Sequence, residues 1–198
     1  LAILRPPGHH ATAEKAMGFC LYNHIAVAAA ALKTQGVPRV CVVDFDVHHG
    51  NGTQDIFYED NSVLYLSSHQ YPHFPGTGAA SETGRGPGLG FTMNHQLAVG
   101  SGDDEFLGCY KNILIPRMAE FDPDFILVSA GYDGHADDPL AGLNVTTGGY
   151  RKLVDMLVQQ AQRLCGGKVV FVLEGGYHPQ VLADCLDETF MSLNENSR

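Results

Sequence analysis

Val40-Cys-Val-Val-Asp44-Phe-Asp46-Val-His48-His49-Gly-Asn51-Gly is the stretch from which the fold can be read. Val40 to Phe45 is apolar except at Asp44, with no alternation of apolar and polar positions. Such a strand is buried on both faces and belongs in a parallel sheet covered by helices. The polar burst that follows, Asp46 to Asn51, marks the strand's carboxyl end, where open parallel sheets build their sites.

The same pattern recurs outward from this stretch. Val63 to Leu66, Phe125 to Ser129 and Val169 to Leu173 are short apolar runs, and Leu1 to Leu4 reads as a further strand. Between them the sequence predicts helices over Leu21 to Gln35, Asp103 to Phe121, Thr147 to Leu164 and Pro179 to Leu193. Thr147 is the expected N-cap of its helix, Gly166-Gly167 the expected stop, and Pro116 an expected kink or split. Strand and helix in alternation predict an α/β fold, an open parallel sheet with helices on both faces. Pro72 to Gly90, rich in Gly and Pro, is expected to form one long functional loop.

The 198 residues suit one domain, 1–198. The chain opens at Leu1 on an expected strand, so we expect the N-terminal part of that domain to be missing. A net charge of -10 without a Lys/Arg cluster argues against direct nucleic-acid binding. An acidic surface suits a cationic partner, such as a Lys-rich tail or a polyamine, and equally serves solubility alone. No apolar run nears the ~20 residues of a membrane span, and no secretory signal stands at the start. Cys20, Cys41, Cys109, Cys165 and Cys185 are scattered, which points to reduced thiols in a cytosol-like compartment.

Four expected strand ends carry most of the His, Asp and Tyr. After the first comes Arg5-Pro-Pro-Gly-His9-His10, and after the third named run Ala130-Gly-Tyr-Asp133. Glu174-Gly-Gly-Tyr177 follows the last. Asp46 and His48 are two apart on an extended segment and point the same way. Alone the pair reads as a solvated turn. With Asp133 from a second strand end it makes three ligands and an open position, the requirement of a catalytic zinc. An Asp₂His set also accepts Fe²⁺ or Co²⁺.

His9 and His10 alone would read as exposed loop residues. Beside a metal they form a pair able to move protons to and from a reacting amide. Asp44 is placed to hold one imidazole, and Asn51 to hold the other without adding charge. Tyr177, after two glycines, can donate to a developing oxyanion. Phe19 and Phe74 either wall an apolar channel or belong to the core.

At these residues the sequence resembles the zinc-dependent histone deacetylases of the arginase–deacetylase fold. The matching pieces are Arg5-Pro-Pro-Gly-His9-His10-Ala, Val43-Asp-Phe-Asp46-Val-His48-His49-Gly-Asn-Gly-Thr, Ser129-Ala-Gly-Tyr-Asp133, Asp138-Pro-Leu and Leu173-Glu-Gly-Gly-Tyr177. Asn51 and Glu174-Gly-Gly resemble the class II and bacterial branch. The resemblance implies an α/β/α fold and one zinc on Asp46, His48 and Asp133. It makes His9 and His10 the proton-transfer pair and Tyr177 the residue that polarises an acetyl carbonyl. It implies a tunnel of Gly18, Phe19 and Phe74 with Leu140 at its mouth. A structural potassium site is implied at Asp44 and Ser67, with backbone carbonyls around Asp46, His48 and Ser68.

The expected activity is removal of acetyl groups from lysine side chains of proteins such as histones. The expected location is cytoplasmic, as for bacterial relatives, or nuclear in a eukaryote. The resemblance also implies an N-terminal segment that supplies an acid gripping the substrate backbone; the sequence given does not include it, either because it was lost or because the sequence is partial. Three alternatives compete. An acetylpolyamine amidohydrolase would favour an acid where Leu140 stands. A two-manganese arginase would need more carboxylates where His49 and Asn51 stand. An inactive acyl-lysine-binding scaffold would not need the complete His, metal and Tyr set.

Overall fold

The structure, a computed structural model, describes residues 1–195. Five parallel strands form the sheet: β1 (Val40–Asp44), β2 (Val63–Gln70), β3 (Thr92–Leu97), β4 (Phe125–Ala130) and β5 (Val169–Leu173). Their spatial order is β3-β2-β1-β4-β5. The helices are α1 (His24–Thr34), α2 (Asn51–Phe57), α3 (Asp103–Cys109), α4 (Ile115–Phe121), α5 (Thr147–Cys165) and α6 (Pro179–Glu195).

Every residue of β1 is buried, and its alternate side chains enter different cores. Val40 and Val42 pack with Ile25, Ala26 and Ala29 of α1 and Phe57 of α2. Cys41 and Val43 face the larger core, built with α3 to α6 around Phe106, Leu153, Leu157 and Cys185. That two-sided covering is why the β1 run carries no polar alternation.

Several expectations are corrected. Leu1 to Leu4 is not a strand: only Ala2 pairs, in a single bridge to Val172. β3 was not anticipated, because Asn94, His95 and Gln96 interrupt its apolar pattern. Helix α2 was not anticipated either, being seven residues long and lacking a side-chain cap. The helix expected over Asp103 to Phe121 is interrupted by a π-helical turn, Tyr110–Leu114, just before Pro116. A π turn there accommodates the N–H that proline lacks. Thr146, not Thr147, caps α5, its hydroxyl accepting from the Gly149 N–H. Gly166 ends that helix in the left-handed conformation, as expected.

From β1 the chain moves to β2 and β3 on one side, and then returns to β4 and β5 on the other. The reversal lies between β1 and β4, whose carboxyl ends align with Asp44 opposite Ser129. An open sheet leaves a crevice at that switch point.

Candidate active site

Asp46 and His48 leave the end of β1, and Asp133 leaves the end of β4. Their ligand atoms all lie within 4.8 Å of one another. His48 Nδ1 is 3.1 Å from Asp46 Oδ1 and 3.0 Å from Asp133 Oδ2. Backbone N–H groups fix the carboxylates: Gly175 donates to Asp46 Oδ2 at 2.7 Å, and Val47 to Asp133 Oδ1 at 3.0 Å. A Cβ on Gly175 would stand 2.0 Å from Asp133 Oδ2, so only glycine permits this approach.

Asp46 and Asp133 are both buried, and among the described residues neither pairs with Lys or Arg. Burial and the Asp46 charge push the Asp133 carboxyl up to about 6. Burial pulls the His48 imidazole down, but its bonds to Asp133 and Asp46 outweigh this and lift it to about 10. Two buried carboxylates that share one imidazole proton are a site short of positive charge. The set of two oxygens and one nitrogen fits a first-row dication with an open position.

His9 and His10 stand beside this cluster with different partners. His9 Nδ1 donates to Asp44 Oδ2 at 3.0 Å, and His9 Nε2 lies 3.8 Å from Asp46 Oδ1. Burial opposes the charged form of His9, but Asp44 and Asp46 prevail and raise its pKa well above the ordinary value. His10 Nδ1 donates to the amide oxygen of Asn51 at 2.8 Å. Asn51 Nδ2 donates to the His10 carbonyl and to Met17 Sδ, which fixes the orientation of the amide. Burial, followed by the neighbouring His9, lowers His10 to about 3. Its Nε2 is therefore left as an acceptor.

His10, Gly18, Phe19, His48, Phe74, Leu140 and Tyr177 line one cavity of about 310 Å³. The Phe74 ring stands edge-on to His10 at 5.1 Å, and Phe19 lies 6.3 Å from Tyr177. Gly18 and Phe19 both have positive φ, 56° and 66°. That turn leaves Phe19 72% exposed at the cavity, and a Cβ on Gly18 would stand 2.3 Å from the His10 ring. The Tyr177 N–H donates to Asp138 Oδ2 at 2.7 Å, and the Leu140 N–H to Asp138 Oδ1 at 3.0 Å. Burial and the Asp46 and Asp133 charges raise the Tyr177 phenol, so it stays a donor.

Asp44 and Ser67 are register partners on β1 and β2. The Ser67 hydroxyl bonds His69 Nδ1 at 2.9 Å, and Ser68 bonds the Tyr110 hydroxyl at 2.7 Å. The residues named from sequence thus gather at the carboxyl ends of the strands. Three contributors were not given roles. Asp138 ties Leu140 to Tyr177, His73 stacks on His48 at 5.0 Å, and Glu174 reaches back to Gly8 and His9. An acid directly after an apolar strand was the available signal for Glu174.

A family model described as the histone deacetylase domain matches residues 1–193. The chain belongs to the histone deacetylase family. Within that family it is 50% identical to "Histone deacetylase 10, chloroplastic" of rice over 190 residues, 96% of this chain and 43% of that protein. It is 45% identical to a "Probable deacetylase" of Archaeoglobus fulgidus, over 89% of this chain and 49% of that one. The solved HDA15 HD domain superposes with a TM-score of 0.91 at 42% identity, covering 96% of this chain and 56% of that one. An acetylpolyamine aminohydrolase from Burkholderia pseudomallei gives a TM-score of 0.89 at 38% identity, covering 96% and 54%. The chain thus spans about half the length of the deacetylase relatives it matches. Among the described residues no helix is long and apolar enough to cross a membrane. The cytoplasmic expectation meets a family that includes relatives named as chloroplastic.

Proposed function

We propose that this chain is the catalytic region, a single domain, of a zinc-dependent amidohydrolase that removes acetyl groups from lysine side chains. The observation that carries this reading is the convergence of His10, His48 and Tyr177 on one cavity walled by Phe19 and Phe74. Asp46, His48 and Asp133 hold the zinc, with Fe²⁺ or Co²⁺ as substitutes. When bound, the ion supplies Lewis-acid polarisation of the amide carbonyl and of the attacking water.

His10, neutral and with Nε2 free, takes a proton from that water, then returns it to the leaving lysine amine. His9, held cationic between Asp44 and Asp46, stabilises negative charge gathering beside it. Tyr177 donates its hydroxyl to the carbonyl oxygen as charge develops. Phe19 and Phe74 bury the apolar lysine stem, at about 25 cal/mol for each Å² removed from water. Asp44 and Ser67, register partners at the strand ends, would hold a potassium ion, which would add rigidity below the site.

An acetylpolyamine substrate is the second reading, favoured by the likeness to the Burkholderia enzyme. Leu140, an apolar residue on the cavity wall, opposes it. The acidic chain suits a cationic substrate in either case. Purified, zinc-loaded chain should be given acetyl-lysine peptide and acetylpolyamine side by side. Faster turnover of the peptide is expected. A chain that hydrolyses acetylpolyamine far faster makes the second reading the first, and one that hydrolyses neither refutes both.

A further inference from the structure

Glu174 follows the last residue of β5, is fully buried, and has no part in the chemistry proposed above. Its Oε2 accepts from two consecutive backbone donors, Gly8 N–H at 2.6 Å and His9 N–H at 3.1 Å. Its Oε1 accepts from the Ser129 hydroxyl at the end of β4, at 3.0 Å. No Lys or Arg pairs with it among the described residues. Burying a carboxylate on neutral donors alone is expensive. Burial raises the Glu174 carboxyl above its ordinary value, and the nearby His9 cation and the Gly8 N–H oppose that rise.

The two ends of this connection lie in different kinds of structure. Glu174 is anchored in the sheet, its N–H donating to the Ala130 carbonyl at 2.9 Å, while Gly8 and His9 lie in irregular chain. The residues after Glu174 reach further parts of the site. Gly175 holds Asp46, the Gly176 carbonyl accepts from Arg5 Nη2 at 2.8 Å, and Tyr177 lines the cavity. Four consecutive residues therefore tie the histidine loop, a candidate metal ligand and the candidate oxyanion donor to one strand end.

We infer that Glu174 is a positioning residue: by gripping the Gly8 and His9 N–H groups it sets His9 and His10 against Asp46 and Tyr177. The inference rests on the deacetylase reading. A loop released from this grip moves the reacting groups out of register, and a displacement near 1 Å lowers turnover about 100-fold.

The test compares the parent chain with Glu174→Ala and Glu174→Gln. In Glu174→Gln the amide oxygen can still accept from both N–H groups, and the amide nitrogen can donate to Ser129. With zinc-loaded proteins and an acetyl-lysine peptide, Glu174→Ala should lose about 100-fold in kcat. Its KM should stay within about threefold, because the groups that bind the substrate are untouched. Zinc content should remain that of the parent. In zinc-free protein, the Gly8 and His9 amides should exchange with deuterium about tenfold faster or more. Glu174→Gln should restore both turnover and protection.

Parental kcat in a folded, zinc-loaded Glu174→Ala overturns the inference, as does a loss that Gln does not restore. A fall in zinc content and a rise in KM together with the loss in kcat reduces Glu174 to a structural part, which also overturns it. Where the alanine variant does not fold, Glu174→Asp takes its place with the same expectations, since it keeps the charge and shortens the reach. A parent without turnover refutes the deacetylase reading alone, and the exchange comparison then decides whether Glu174 holds the loop.

Discussion

His9 and His10 are consecutive, with ring centroids 4.1 Å apart, yet His9 is held by a carboxylate and His10 by an amide. The difference separates their protonation. Asp44 and Asp46 keep His9 charged, while burial and the charge on His9 hold His10 at about 3. Two imidazoles in contact thereby become a fixed cation and a free base.

That division predicts a pH effect. A base must be neutral, so activity is lost as pH falls through the pKa of His10. Asn51→Asp puts a carboxylate on His10 Nδ1 and favours its charged form. The acid limb of kcat/KM should then move to higher pH by about 1–3 pH units. A pH profile of parent and variant on one substrate measures this. An unmoved limb means that His10 is not the base.

Asp133 bears on the metal. Asp133→Asn removes one of the two carboxylates among the candidate ligands while leaving an oxygen for the Val47 N–H. Zinc content by elemental analysis should fall from about one ion per chain to a small fraction. Zinc should raise the Tm of the parent by mass action and leave that of the variant unmoved. A variant with full zinc occupancy would show that Asp133 is not a ligand.

The sequence was informative where burial and chemistry coincide. β1, β4 and β5 were legible because strands covered on both faces are apolar along most of their length, and the residues after β1 and β4 are polar because the switch point lies there. β3 was not, since Asn94, His95 and Gln96 break its apolar run, and Asn94 is spent on Gln54 and the Glu82 carbonyl. Leu1 to Leu4 shows the opposite failure: an apolar run that makes one bridge and leaves Ile3 63% exposed. Glu174 was quoted as part of a motif, but its role needs the distance to Gly8, 166 residues away in the chain.

Leu140 tests the choice between substrates. It lines the cavity and is 47% exposed, so an acid there would meet a cationic substrate in partly aqueous surroundings. An exposed ion pair contributes about 0.2–1 kcal/mol. Leu140→Glu should therefore raise the preference for acetylpolyamine over a neutral acetyl-lysine peptide by only about two- to fivefold. Competition between the two substrates in one vessel measures the ratio. A preference that does not change removes Leu140 from the specificity argument.

Tyr177 decides the division of labour during amide cleavage. Its backbone is fixed by Asp138, its ring faces Phe19, and its phenol remains protonated beside two carboxylates. A neutral donor held in that state makes a contact that strengthens only as the carbonyl oxygen gains charge. Loss of one such donor lowers kcat by about 10²–10³, or about 2.7–4 kcal/mol. Tyr177→Phe removes the hydroxyl and keeps the ring, so zinc content and Tm should match the parent while kcat falls by that amount. His10→Ala should also abolish turnover with zinc retained, because neither the water nor the leaving amine would have its proton partner. Tyr177 lies outside the three candidate ligands, so a fall in zinc content in Tyr177→Phe would point to a disturbed site in place of a lost donor. A zinc-loaded Tyr177→Phe as active as the parent on acetyl-lysine peptide would leave this tyrosine as wall alone, and the oxyanion would then depend on the ion and His9.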